Sequence, residues 1–236
     1  MSEEPEHELV LPPISDNDNI CLPLSINAVA KYWNIDLPIS EANEIASKYA
    51  GMNGSILIEG INLAERHGLS SLIIHSSIPE LKQVIDMGIP PIVILPGLHD
   101  VVQHASIISG YDDKEKTIFH YVPEQKPSEE GIQVGVIPEK RFEKLWSEDG
   151  CLMILLGSSD ILSALKSDEN KTKSNRLCFE SEKLSLQKQT KETTDSLEKA
   201  IELNPNNSTA LCLLGGILNE QNNPECVSYY EKSLEK

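Results

Sequence analysis

The stretch Asn17-Asp18-Asn19-Ile20-Cys21-Leu22-Pro23-Leu24-Ser25-Ile26-Asn27-Ala28-Val29 decides how the chain is read. A polar loop leads into it, an apolar helix leads out, and a cysteine stands at the junction. Pro23 suits the first turn of a helix, where a missing N–H costs nothing. Ile26, Val29, Ala30 and Trp33 recur at the spacing of one buried helical face. Cys21 then stands at a helix N-terminus, where unpaired amides and the positive end of the macrodipole favour the thiolate, the form that attacks carbonyl carbon. The same amides can hold an oxyanion. The competing reading is a small cysteine that only packs, the fate of most free cysteines.

Helical patterns continue after this stretch. Ser40 is a candidate N-cap for a second helix carrying Ala42, Ile45, Ala46 and Tyr49 until Gly51, and Ser55 for a third carrying Ile58, Ile61 and Ala64 until Gly68. Strand patterns then take over at residues 72–74, 91–95, 104–111, 117–122, 131–137 and 151–156, with short helices predicted from Ser77 and over residues 138–146. A short strand is also expected at residues 9–11. Helices first and strands afterwards is the order of an α+β domain with an antiparallel sheet, and this domain is placed at residues 1–157. Residues 158–173 read as a linker, and residues 174–236 as helical.

Composition bounds what the protein does. The 236 residues, 39% of them apolar, suffice for one good-sized core and a second smaller unit. The N-terminus shows no apolar run of signal-peptide or membrane-span length, which predicts a cytoplasmic protein. Five scattered cysteines without a CxxC pair predict reduced thiols. A formal charge of -17, from 37 acidic and 20 basic residues, repels phosphate backbones and anionic lipid, so neither nucleic acid nor membrane is expected as a partner. His99 and His104 frame Asp100 but mark no third ligand nearby, so no metal and no cofactor are expected.

A cysteine nucleophile needs a base, and His104 is the best placed, at the head of an alternating apolar strand. His7, His67, His75 and His120 read as structural. With these residues set out, the sequence resembles a family. Cys21-Leu22-Pro23-Leu24-Ser25 is similar to the Cys-Gly-Pro-Ala-Ser that opens the catalytic helix of the bacteriocin-processing, double-glycine-leader cysteine peptidases, family thirty-nine of the cysteine peptidases. Lys31-Tyr32-Trp33, Gly88-Ile89-Pro90-Pro91-Ile92-Val93, and His104-Ala105-Ser106-Ile107-Ile108-Ser109-Gly110-Tyr111-Asp112 resemble later segments of that family in the same order. The resemblance covers roughly residues 8–157 and implies a papain-like fold. It also implies Cys21 as nucleophile and His104 as general base and acid, in acyl transfer through a thioester from a peptide or protein substrate.

Three positions depart from that pattern. Val122 stands where the family carries the aspartate that orients the histidine, leaving His120, Asp100 or a backbone carbonyl for that task. Ser15 or Asp16 stands where it carries an oxyanion-binding glutamine, for which Asn17 or Asn19 can substitute. Leu22 replaces the glycine beside the nucleophile. The tail offers a second resemblance. Residues 199–205, then Leu214-Gly215 and residues 229–234, resemble the tetratricopeptide repeat, whose period is about 34 residues. Leu211, Leu214, Gly215 and Leu218 fall on a first helix and Cys226, Tyr230 and Ser233 on a second. Leu177, Ser181, Leu184, Leu197 and Ala200 correspond one period earlier, giving about two repeats that imply a protein partner. The sequence thus predicts a cytoplasmic papain-like cysteine peptidase or thiol acyl-hydrolase with a protein-binding repeat tail. The alternatives are a catalytically inactive module of the same fold, used for binding or scaffolding, and a thiol transferase acting on a non-peptide amide.

Overall fold

Apolar periodicity changes from helical to strand-like near Leu69, and the elements change with it. In a computed structural model, which describes residues 7–12, 21–48, 56–96, 103–121, 134–148 and 150–235, the chain divides into two units, Met1–Ala164 and Leu165–Lys236. The first runs β1 (His7–Glu8), α1 (Cys21–Tyr32), α2 (Ile39–Ser47), α3 (Leu57–Arg66), β2 (Ser70–His75), α4 (Ile78–Asp86) and β3 (Ile92–Pro96). It continues with β4 (Gln103–Asp112), β5 (Thr117–Tyr121), β6 (Val134–Pro138), α5 (Glu139–Glu148), β7 (Leu152–Gly157) and α6 (Ser159–Ser163).

The described strands form one sheet in the order β2-β7-β3-β4-β5-β6, with β1 added to β4. Every pair among them is antiparallel. This is the mixed helix and antiparallel-sheet class that the order of patterns predicts. The last strand, β7, slots between β2 and β3 and is buried along its whole length, so its apolar run needs no alternation.

α1 is the centre of the unit. Its spacing predicts one buried face, yet nine successive residues from Leu22 to Ala30 are buried, because α2, α3 and β4 all pack on it. A helix enclosed in this way needs apolar or small residues all round. Gly60 of α3 provides part of the close approach: a Cβ there would stand 3.3 Å from Ile26 Cγ1 and 3.4 Å from Leu22 Cδ2. At its far end Trp33 Nε1 donates to the carbonyl of Leu156 on β7, and Tyr32 Oη to that of Gly88.

Several expectations shift in detail. The strand placed at residues 9–11 lies at His7–Glu8 instead, where it pairs with Gly110 and Tyr111, and only the Leu9 amide continues onto Ser109. Ser40 is inside α2, which extended Pro38 precedes without any side-chain cap. Tyr49, Gly51, Ser55 and Val122 lie outside the described residues. Residues 158–173, read as a linker, hold α6 and the start of a long helix. The Ser158 hydroxyl accepts from the Ile161 amide, and the Asp168 carboxylate from those of Asn170 and Lys171, so each side chain starts a helix where composition alone suggests a loop.

The second unit is helical: α7 (Glu169–Leu186), α8 (Thr190–Leu203), α9 (Ser208–Glu220) and α10 (Cys226–Leu234). Consecutive helices pack as hairpins, with α7 also against α9. Lys188 and Asn222, both at positive φ, end the first helix of each hairpin. Cys178, Leu197, Ala200, Ala210 and Leu214 form the core. A buried polar seam joins it, in which Asn207 caps α9 through the Ala210 amide and donates to Ser174 Oγ at 2.8 Å and Asn175 Oδ1 at 3.1 Å.

Candidate active site

Cys21 is the first residue of α1 and is partly exposed, while the residues after it are buried. The first turn contains no acidic residue, so nothing on the helix itself offsets the partial positive charge of its unpaired amides. The loop before it, with Asp16, Asn17 and Asn19, lies outside the described residues, as do His99 and Asp100.

His104 sits near the start of β4, opposite Leu95 of β3. Side chains alternate along a strand, so His104, Ser106 and Ile108 share one face and Ala105, Ile107 and Ser109 the other. Beyond the β-bulge between Ile108 and Gly110 the alternation is reset; there the Tyr111 hydroxyl donates to Asp86 of α4, and the Lys82 ammonium stands 5.0 Å from its ring centroid. Both α1 and α4 pack on β4, and Ser106 and Ile108 are sealed from solvent. The fold thus packs the helix that starts with Cys21 on the strand that carries His104. Among the described residues no hydrogen bond joins Cys21 to His104.

His120, read from sequence as structural and also as a stand-in orienting group, lies on β5 opposite Ile108. Its Nδ1 is 3.3 Å from Ser106 Oγ. The Ser106 hydroxyl also donates to the carbonyl of Tyr121 at 3.2 Å, an arrangement that suits a His120 ring with its hydrogen on Nδ1. On the other side the ring lies against Gly135 of β6, where a Cβ would come within 2.3 Å of Nε2. His104 and His120 therefore flank Ser106 on one face without a bond to each other. Burial lowers the basicity of both rings, and the positive charge of a protonated His104 lowers that of His120 further.

Ser106 and Gly135 escape a reading made from sequence. Ser106 is one polar residue in an apolar strand, and its partner is known only once β4 and β5 are in register. Gly135 does leave a signal, since a lone glycine inside a strand pattern marks a close approach. Among the described residues no group of three histidine, cysteine, aspartate or glutamate side chains is placed to hold a metal ion, and no helix is long and apolar enough to cross a membrane.

No protein-family model matches the sequence, and no curated protein matches it as a relative. Solved structures similar to about two thirds of the chain include peptidase domains of transporters. One is a double glycine motif protease from an AMS/PCAT transporter, in complex with the leader peptide: 14% identity over 65% of this chain and 96% of that one, TM-score 0.48. Another is the peptidase domain of Streptococcus ComA, a bi-functional ABC transporter involved in quorum sensing: 19% identity over 65% of this chain and 100% of that one, TM-score 0.49.

Proposed function

We propose that the first unit is a papain-like cysteine peptidase or thiol acyl-hydrolase in which Cys21 is the nucleophile and His104 the general base and acid. The observation that carries this reading is the packing of α1, with Cys21 as its first residue, on β4, the strand that holds His104 near its start. Desolvation lowers the basicity of the partly buried His104 imidazole, which favours the neutral ring that can take the thiol proton. Attack of the Cys21 sulfur on a peptide carbonyl carbon, with its proton passing to His104, gives a tetrahedral oxyanion. Collapse of that oxyanion breaks the C–N bond, returns the proton to the leaving amine and leaves a thioester, which water hydrolyses. Asn17 and Asn19 are the proposed oxyanion donors and His120 the proposed neighbour of the base. The substrate class is a peptide or protein, met in the cytoplasm.

Residues 174–236 are proposed as about two tetratricopeptide repeats that bind a protein partner. Their support is the succession α7 to α10 and the burial of Leu197, Ala200, Leu211, Leu214 and Gly215 at the repeat's apolar positions. The second reading, an inactive binding module, draws on Val122, which stands where the resemblance places the aspartate that orients the histidine. The experiment is incubation of the full chain with a peptide library, comparing wild type with Cys21→Ala. Cleavage lost with Cys21 supports the enzyme, and binding without any cleavage supports the module.

A further inference from the structure

The charge of the chain is divided unevenly. Residues 1–164 hold 25 acidic and 10 basic residues, a net of -15, whereas residues 165–236 hold 12 and 10, a net of -2. A charge that served solubility alone would be shared between the units. Nearly all of it belongs to the unit that carries Cys21 and His104.

The register of the sheet fixes which end of that unit the two residues occupy. Leu95 pairs with His104, and Ile92 pairs with both Ile107 and Ile154, so Leu156, two residues past Ile154, is level with Ser109 on β4. Trp33 donates to the Leu156 carbonyl and holds the end of α1 there. From Trp33 back to Cys21 is about 18 Å of helix, and from Ser109 back to His104 is about 17 Å of strand. Laid along β4, on which it packs, α1 brings its first residue level with His104.

Most cations of the unit stand at the opposite end. Lys82 donates to Asp113 at 2.7 Å and to Glu139. Lys114 and Lys116 share the turn between β4 and β5 with Asp113, about 30 Å along the strand from His104. Lys31 lies in the last turn of α1, and Arg66 ends α3, which leads into β2 where Ser70 pairs with Gly157. Lys48 and Lys144 stand nearer the site. The first is taken by Glu59, whose carboxylate is buried, and the second precedes exposed Glu148 by one turn. The negative field of the unit is therefore cancelled least where Cys21 and His104 lie.

We infer that the substrate of the Cys21 site is a cationic peptide segment, one that carries lysine or arginine beside the scissile bond. The inference rests on the reading of Cys21 and His104 as a peptidase pair and names the substrate class that reading leaves open. A net of -15 on one unit raises the local concentration of a cationic segment and repels an anionic one, an effect on encounter more than on the chemical step. Its signature is a steep dependence on ionic strength, because the Debye length falls from about 30 Å at 0.01 M to about 3 Å at 1 M.

The test incubates the full chain with a mixed peptide library, Cys21→Ala serving as the blank, and reads the cut products by mass spectrometry. Pairs of cleaved peptides that differ only in lysine or glutamate next to the cut bond are then compared. At 0.01 M salt the lysine member is expected to show kcat/KM about tenfold or more above its glutamate partner, an excess that shrinks to about twofold or less at 1 M while kcat changes little. Equal kcat/KM for both members, preference for glutamate, or a preference that salt does not move overturns the inference and leaves the peptidase reading standing. A library in which the wild type cuts no bond that Cys21→Ala leaves intact overturns both.

Discussion

Trp33 Nε1 donates to the carbonyl oxygen of Leu156 across 2.8 Å, and that bond ties the end of α1 to a strand reached 123 residues later in the chain. Gly157 lies against the same indole, where a Cβ would sit 3.5 Å from Cζ2. Trp33→Phe removes the donor and part of the ring while leaving the carbonyl without it. The expected loss is about 1–3 kcal/mol of stability, measured as a fall in the urea midpoint at unchanged slope.

Gly135→Ala drives a methyl group into the His120 ring. The ring has to leave its seat beside Ser106, and overpacking of this kind costs about 1–3 kcal/mol. The Gly135→Ala,His120→Ala double variant recovers most of that loss, since the clash goes with the ring. A double-mutant cycle in urea measures the recovery.

Acid weakens the first unit through the same face. His104 and His120 both bind protons less readily in the folded chain than the unfolded value of 6.5, so below that value the unfolded chain takes up more protons. Their contribution is complete above about pH 6.5 and is lost as pH falls from there toward their folded values. Urea midpoints between pH 7.5 and 5 show the decline, and His104→Gln with His120→Gln flattens it.

In the second unit Asn207→Ala removes both the α9 cap and the bonds to Ser174 and Asn175. The Ser174 hydroxyl keeps its own bond to the Ala200 carbonyl, so the loss is that of the cap and of two donated bonds, about 1–3 kcal/mol. Thermal unfolding of residues 165–236 within the full chain, followed by tryptophan-independent circular dichroism, registers it. Leu213→Ala, on an exposed side chain of the same helix, changes little.

Much of this architecture is legible because its signals are local. Pro23 and the apolar run behind it mark α1, Gly68 and Gly88 at positive φ end α3 and α4, and β4 declares itself by length. The same is true of Cys21 and His104, each the first notable residue of a strongly patterned element. What escapes depends on register or on distant partners. The unbroken apolar run of β7 marks a buried strand, but nothing in it says that its neighbours are β2 and β3. The strand at His7–Glu8 is decided by room at Gly110, while the more apolar residues 9–11 lack a continuing partner. The enclosure of α1 on all sides comes from α2, α3 and β4 together, and Ser106 gains a role only when Tyr121 and His120 arrive beside it.

The central claim, a thiol activated by His104, is tested most directly by the rate of Cys21 alkylation with iodoacetamide as a function of pH, read by mass spectrometry in wild type and His104→Ala. The chain carries its own references: burial pushes the Cys151 thiol up and the Cys178 thiol up to about 12, so both stay slow at neutral pH. The account predicts that Cys21 reacts well below pH 8 and loses that advantage without His104. A Cys21 that titrates like exposed Cys212, with or without His104, contradicts it.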